Sequence, residues 1–126
     1  KFNENNILIL NNYAYFLSLD KEDLEKAERM SSKTVQLEPD NATYLDTYAW
    51  IFFQQGKYTL AKFYIESALA KGGSASPEIV EHHGDILFKL GQTDLAIKEW
   101  KKALLLYENE EDKALLETKI KQHTNE

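Results

Sequence analysis

At 126 residues, with 43% hydrophobic and 29% charged residues and only 5 Gly and 2 Pro, the chain carries enough apolar surface for one folded domain, which argues against disorder. A formal charge of −6 argues against nucleic acid, whose binders present a basic face, and the absence of cysteine removes disulfides, thiolate metal sites and cysteine nucleophiles together. No apolar run approaches the roughly 20 residues needed to cross a bilayer, so no direct membrane insertion is expected.

The chain starts at Lys1-Phe2-Asn3 with neither an initiator methionine nor a signal peptide, and is read as a segment of a longer protein. A first helix is expected over 3–18, carried by Ile7, Leu10, Ala14 and Leu17. Asp20 can cap the next helix, with Asp23 three residues on as a capping-box acid. That helix runs to about Leu37 through Leu24, Ala27, Met30 and Val35, and Pro39 stops it by pushing the preceding residue out of the helical region. Asp40 or Asn41 caps a third helix, on which Leu45, Tyr48, Ala49, Phe52 and Phe53 share a side. Gly56 ends it, and Tyr58, Ala61, Ile65, Ala68 and Leu69 repeat the period on a fourth. So short a turn requires the two helices to lie antiparallel, with Ala49 and Ala61 letting the backbones approach.

Gly72-Gly73-Ser74-Ala75 reads as a flexible linker. Ser76 caps a fifth helix with Pro77 in its first turn, and Ile79, Val80, His83, Gly84, Leu87 and Phe88 carry it as far as Gly91. Thr93 opens a sixth, with Leu95, Ala96, Trp100, Ala103 and Leu104 inward. A last helix over about 110–123 places Leu115, Leu116 and Ile120 on one face and charge elsewhere, as a terminal cap does. The acids Glu110-Glu111-Asp112 suit the positive end of its dipole.

The small residues recur. Ala14, Ala49 and Gly84 stand 35 residues apart, and Ala27, Ala61 and Ala96 stand 34 and 35 apart. A period near 34 with two helices in it marks a stacked helical repeat. The pattern resembles the tetratricopeptide repeat family. Its central unit matches at Leu45, Ala49, Phe52, Gly56, Tyr58, Ala61, Ile65 and Ala68, and its third at Val80, Gly84, Leu87, Gly91, Ala96, Trp100 and Ala103. The first unit keeps Leu10, Ala14, Leu24, Ala27 and Pro39, but has Ser31 and Thr34 where the family prefers larger or apolar residues, and one extra residue in its turn. Its second helix is therefore expected to pack less tightly. Within the family, Leu45-Asp46-Thr47-Tyr48-Ala49-Trp50 and Glu81-His82-His83-Gly84-Asp85 look like the closing repeats of long bacterial proteins. The resemblance implies an all-α fold: a right-handed αα superhelix (solenoid) of three helix-turn-helix repeats, about 6–39, 41–73 and 76–107, plus a C-terminal capping helix, in a single domain over 1–126. The compartment is left open between bacterial cytoplasm and periplasm or cell envelope, because a cysteine-free chain is tolerated in either.

In that family the first helix of each unit lines the concave side, where peptides or partner helices bind. Carried over by helical phase, the lining is Asn11 and Tyr15, then Asp46, Trp50 and Phe53, then Glu81, Asp85 and Phe88. Aromatic platforms among carboxylates favour a partner segment with apolar anchors and Lys or Arg nearby. The competing reading of Trp50 and Phe53 is packing between neighbouring helices. Chaperone-binding members of the family clamp a C-terminal carboxylate with Lys, Asn and Arg. The matching slots here, Asn11, Tyr15, Thr47, Glu78 and His82, hold no Lys or Arg, so the charge-assisted bonds of that mode are missing.

His82 and His83 point about 100° apart on a helix, whereas zinc helices want histidines one turn apart, so neither a metal nor another cofactor is expected. His83 falls on the inward phase as a core histidine, and His82 sits with Glu81 and Asp85 in an ion network. Asn41-Ala42-Thr43 matches a glycosylation sequon. No nucleophile–base motif and no phosphate loop is present, so an enzyme is not expected. The expected function is a non-catalytic protein–protein interaction scaffold that holds a peptide or partner helix in an acidic, aromatic groove. The alternative is self-association, with the terminal stretches 3–18 or 115–120 pairing with another copy.

Overall fold

A computed structural model describes residues 4–124, with side chains from residue 6 onward; Asn3, expected to open the first helix, lies outside the described residues. Among the described residues seven α-helices run in order: α1 (Glu4–Ser18), α2 (Leu24–Leu37), α3 (Ala42–Gln54), α4 (Tyr58–Ala70), α5 (Pro77–Lys89), α6 (Thr93–Leu106) and α7 (Glu110–Thr124). No strand occurs among them, and the fold is an all-α solenoid. The boundaries have local causes. Asn41 Oδ1 accepts the Tyr44 N–H at the start of α3, and Ser76 Oγ accepts that of Ile79 at the start of α5. Gly56 and Gly91 take left-handed φ angles of 80° and 85°, each closing the turn between two helices of a hairpin.

Two turns differ from the sequence expectation. Asp20 caps a 3₁₀ turn, Lys21–Asp23, by accepting the Glu22 N–H at 3.0 Å; α2 starts only at Leu24, and Asp23 makes no capping bond. The expected flexible linker is instead a built turn. Gly73 opens a second 3₁₀ turn, Gly73–Ala75, and is buried so closely that a Cβ there would stand 2.6 Å from the Ala68 carbonyl oxygen.

Each hairpin buries its own seam and receives one face of the next. Ala14, Leu17, Leu24 and Ala27 cluster with Ile51 of α3. Leu45, Ala49, Phe52, Ala61, Ile65 and Ala68 cluster with Ile79 and Ile86 of α5. Val80, Leu87, Ala96, Trp100 and Ala103 cluster with Leu116 and Ile120 of α7. Burying one such isoleucine contributes about 1.5–3 kcal/mol, so the joints between hairpins matter as much as the hairpins themselves.

The small-residue slots Ala14, Ala49 and Gly84 and their partners Ala27, Ala61 and Ala96 are all buried. Ser31 and Thr34 are both fully buried in α2, with the Thr34 hydroxyl donating to the Ser31 carbonyl at 2.7 Å and no partner for the Ser31 Oγ among the described residues. Two residues expected inward face solvent instead. Leu95 is half-exposed and Leu115 is 71% exposed, because Leu116 and Ile120 alone fill the seat that α6 offers to α7.

Candidate functional site on the inner wall

α1 packs on α3 and α3 on α5, so the first helices of the hairpins form one continuous layer, the inner wall of the stack. The helical phase that buries Ala14, Ala49 and Gly84 in the hairpin seams sends the neighbouring face of each first helix onto this wall. Seven of the eight residues read from the sequence stand there with some exposure. The eighth does not. Asn11 is 2% exposed, and its Oδ1 accepts no hydrogen bond among the described residues. Its counterparts one and two periods on, Asp46 and Glu81, keep partial exposure, and side chains from the next helices cross to meet them.

Those crossings give the wall its electrostatics. His82 Nδ1 lies 2.8 Å from Asp46 Oδ1, tying α5 to α3. Burial alone lowers the His82 pKa, but the Asp46 bond and the carboxylates of Asp46, Asp85 and Glu81 outweigh it and hold the imidazole above its ordinary value. One joint further, Lys119 of α7 bonds Glu81 and stands 2.9 Å from Asp85. The Tyr107 hydroxyl donates to Glu81 at 2.7 Å, and Trp100 Nε1 donates to Asp85 at 3.0 Å. Burial pushes the Asp85 carboxyl up against the opposing pull of Lys119, while the charges of Asp85 and Glu81 raise Lys119 in spite of its burial. The three carboxylates expected to stand free for a partner are therefore matched from within the fold.

The aromatic residues are less committed. Trp50 stacks on Phe53 at 4.4 Å and on His82 at 4.0 Å, half-buried, and Tyr15 is exposed at the α1 end. Phe88 meets His123 edge-on at 4.5 Å. Between them opens a cleft of about 490 Å³ whose walls are Phe53, Phe88, Trp100 and Leu115, with Asp85, Lys89, Lys119, Gln122 and His123 around them. An apolar floor with a few polar groups on the rim can seat one side chain of a ligand and orient the chain on either side of it. His83 lies elsewhere: rather than sitting in the core, it is partly exposed between Glu99 of α6 (3.0 Å) and Glu66 of α4 (3.1 Å).

Residues 78–110, which hold α6 and all but the first residue of α5, match the tetratricopeptide repeat profile. The first tetratricopeptide domain of Spaghetti (RPAP3) bound to the HSP90 peptide SRMEEVD superposes with a TM-score of 0.78 at 21% identity, over 96% of this chain and 97% of that one. One tetratricopeptide repeat is thus matched in the sequence, and the whole chain shares the fold of tetratricopeptide domains. The same fold is found in the first such domain of human RPAP3 (TM-score 0.77, 22% identity, 93% and 91% covered). It is found again in the type III secretion translocator chaperone SycD of Yersinia enterocolitica (TM-score 0.82, 15% identity, 95% and 91% covered). No curated protein matches the sequence.

Half of the cleft's lining was absent from the sequence reading. Lys119, Gln122 and His123 come from α7, which repeat matching ends before. The one available signal was distance: Lys119 stands 34 residues after Asp85, one period on, as His82 stands 36 after Asp46.

Proposed function

We propose that this tetratricopeptide-repeat chain is a non-catalytic docking scaffold, and that it holds an extended segment or a helix of another protein along the inner wall. The cleft between α3, α5 and α7 carries this reading: its volume falls within the range of ligand pockets, about 300–1,000 Å³, and it is open to solvent next to the Trp50–Phe53 stack. Because Asp46, Glu81 and Asp85 already have internal cationic or hydrogen-bonding partners, an apolar anchor entering the cleft dominates affinity, and basic residues of the partner contribute less. Two relatives by fold support a protein ligand, one bound to an HSP90 peptide and one named a chaperone. The acidic HSP90 peptide itself is not carried over, since the matching slots Asn11, Tyr15, Thr47, Glu78 and His82 lack Lys and Arg. Among the described residues no helix is long and apolar enough to cross a membrane.

Selection from a displayed library of short peptides, followed by titration of the winners, tests this. Leu115→Ala removes an exposed wall of the cleft without touching the core, so it should weaken the winners by roughly tenfold while leaving the melting temperature unchanged. Phe53→Ala should weaken the winners at the opposite wall too, there with some fall in melting temperature because Phe53 also packs on the α3 core. Winners indifferent to both substitutions, or amide shifts confined to the α2–α4–α6 side, refute the groove.

A further inference from the structure

The stacking joints leave a signature that can be read along the chain. Ile51 of α3 enters the first hairpin and Ile79 and Ile86 of α5 enter the second, while Tyr44, seven residues before Ile51, is buried as well; Ile51 and Ile86 are buried completely. These pairs are 35 residues apart, the period of the repeat. One period earlier, on α1, stand Ile9 and Phe16. They too are seven residues apart and apolar, yet they are 64% and 66% exposed. Tyr13, between them on the same face, is also exposed. The opposite face of α1 is fully used, by Ala14 and Leu17 in the hairpin seam and by Ile7, Asn11 and Ser18, all buried. α1 therefore carries the complete docking edge of a repeat's first helix, with nothing docked on it among the described residues.

We infer that this edge is an interaction surface for a further helical hairpin of the same kind, which receives Ile9 and Phe16 between alanine and leucine side chains of its second helix. The existing joints specify that chemistry: the seats for Ile51 and for Ile79 and Ile86 are made by Leu24 and Ala27, and by Ala61, Ile65 and Ala68. A polar surface would leave the two large side chains in water, and a flat apolar one would offer no slot between small residues. A second copy of this chain cannot supply the seat head to tail, because its last hairpin is already closed by Leu116 and Ile120 of α7. The remaining way for a copy to cover the face is α1 against α1, which matches none of the joints in the fold.

The test duplicates residues 6–40 in place, so that the chain runs 1–40 and then 6–126. Asn6 then follows Asp40 as Asn41 does in the parent, and the second copy of Ile9 and Phe16 meets the first copy of α2. Phe16→Asp in the parent and in the first copy should move the melting temperature very little, since the residue stays exposed. In the second copy it should lower the melting temperature by roughly 5–10 °C, as a charge is forced into a dry joint. Equal effects in the two copies, or a duplicated chain with less helix per residue than the parent, overturn the inference. So does sedimentation showing the parent as a dimer that Phe16→Asp splits, which assigns the face to a second copy.

Discussion

Gly84 is the position at which reasoning from the repeat alone and reasoning from packing disagree in sign. The equivalent slots hold Ala14 and Ala49, and Gly→Ala inside a helix ordinarily gains about 1 kcal/mol, so a repeat consensus recommends Gly84→Ala. A Cβ at Gly84, however, would stand 2.4 Å from Trp100 Cδ1, 2.5 Å from its Nε1 and 3.1 Å from the Ala96 carbonyl oxygen. Carbon contacts settle near 3.5–4.0 Å, so the indole has to retreat by about 1 Å. Its surroundings resist that retreat: Trp100 is 2% exposed, its Nε1 is bonded to Asp85, and it packs in the cluster closed by α7, so any shift toward the cleft breaks those contacts. Overpacking of this kind costs about 1–3 kcal/mol or more, which exceeds the propensity gain.

Gly84→Ala should therefore lower the urea midpoint, with a net loss of about 1–2 kcal/mol and a fall in melting temperature of roughly 4–8 °C. The position facing Ala49 is Ile65, one period before Trp100. On a Trp100→Ile background the same glycine substitution should be close to neutral, giving a coupling of about 1 kcal/mol or more in a double-mutant cycle followed by far-ultraviolet circular dichroism. A Gly84→Ala chain with a raised midpoint, or one equally destabilised whichever residue is at 100, refutes the reasoning.

The His82–Asp46 joint should be sensitive to pH. Because the folded imidazole titrates above its ordinary value of 6.5, its contribution is complete below that value and is lost as pH rises through the folded pKa. The stability gap between the parent and Asp46→Asn should therefore narrow from about pH 6 to about pH 8, and the histidine proton shift of His82 should titrate lower in the variant; a gap that widens with pH contradicts the assignment. Gly73 tests the built turn after α4: Gly73→Ala should cost about 1–3 kcal/mol through its clash with the Ala68 carbonyl, while exposed Ser74→Ala should change the midpoint by less than about 0.5 kcal/mol. Equal effects at 73 and 74 would mean the turn is a mere linker.

Residues whose role is set by spacing were legible in advance. Ala14, Ala49 and Gly84, Ala27, Ala61 and Ala96, the stop at Pro39 and the caps Asn41 and Ser76 all sit where local chemistry and period place them. Residues whose role depends on how hard two helices press together were not. Asn11 has the same phase as Asp46 and Glu81, yet it is buried where they keep partial exposure. Leu115 and Leu116 are neighbours of equal hydrophobicity, and only the seat offered by α6 selects the second.

The sequence by itself determined the α-hairpins, their 35-residue period and the apolar edge each presents, because helix phase and turn chemistry act over a few residues and repeat along the chain. Only the tertiary structure decided which carboxylates remain free. His82, Lys119 and Tyr107 reach Asp46, Glu81 and Asp85 across joints, from positions 26 to 38 residues away. It also decided that the wall ends in an apolar cleft, since α7 meets α5 there with its own side chains. Charge matching and cavity shape depend on distances between helices, which no pattern along a single helix encodes.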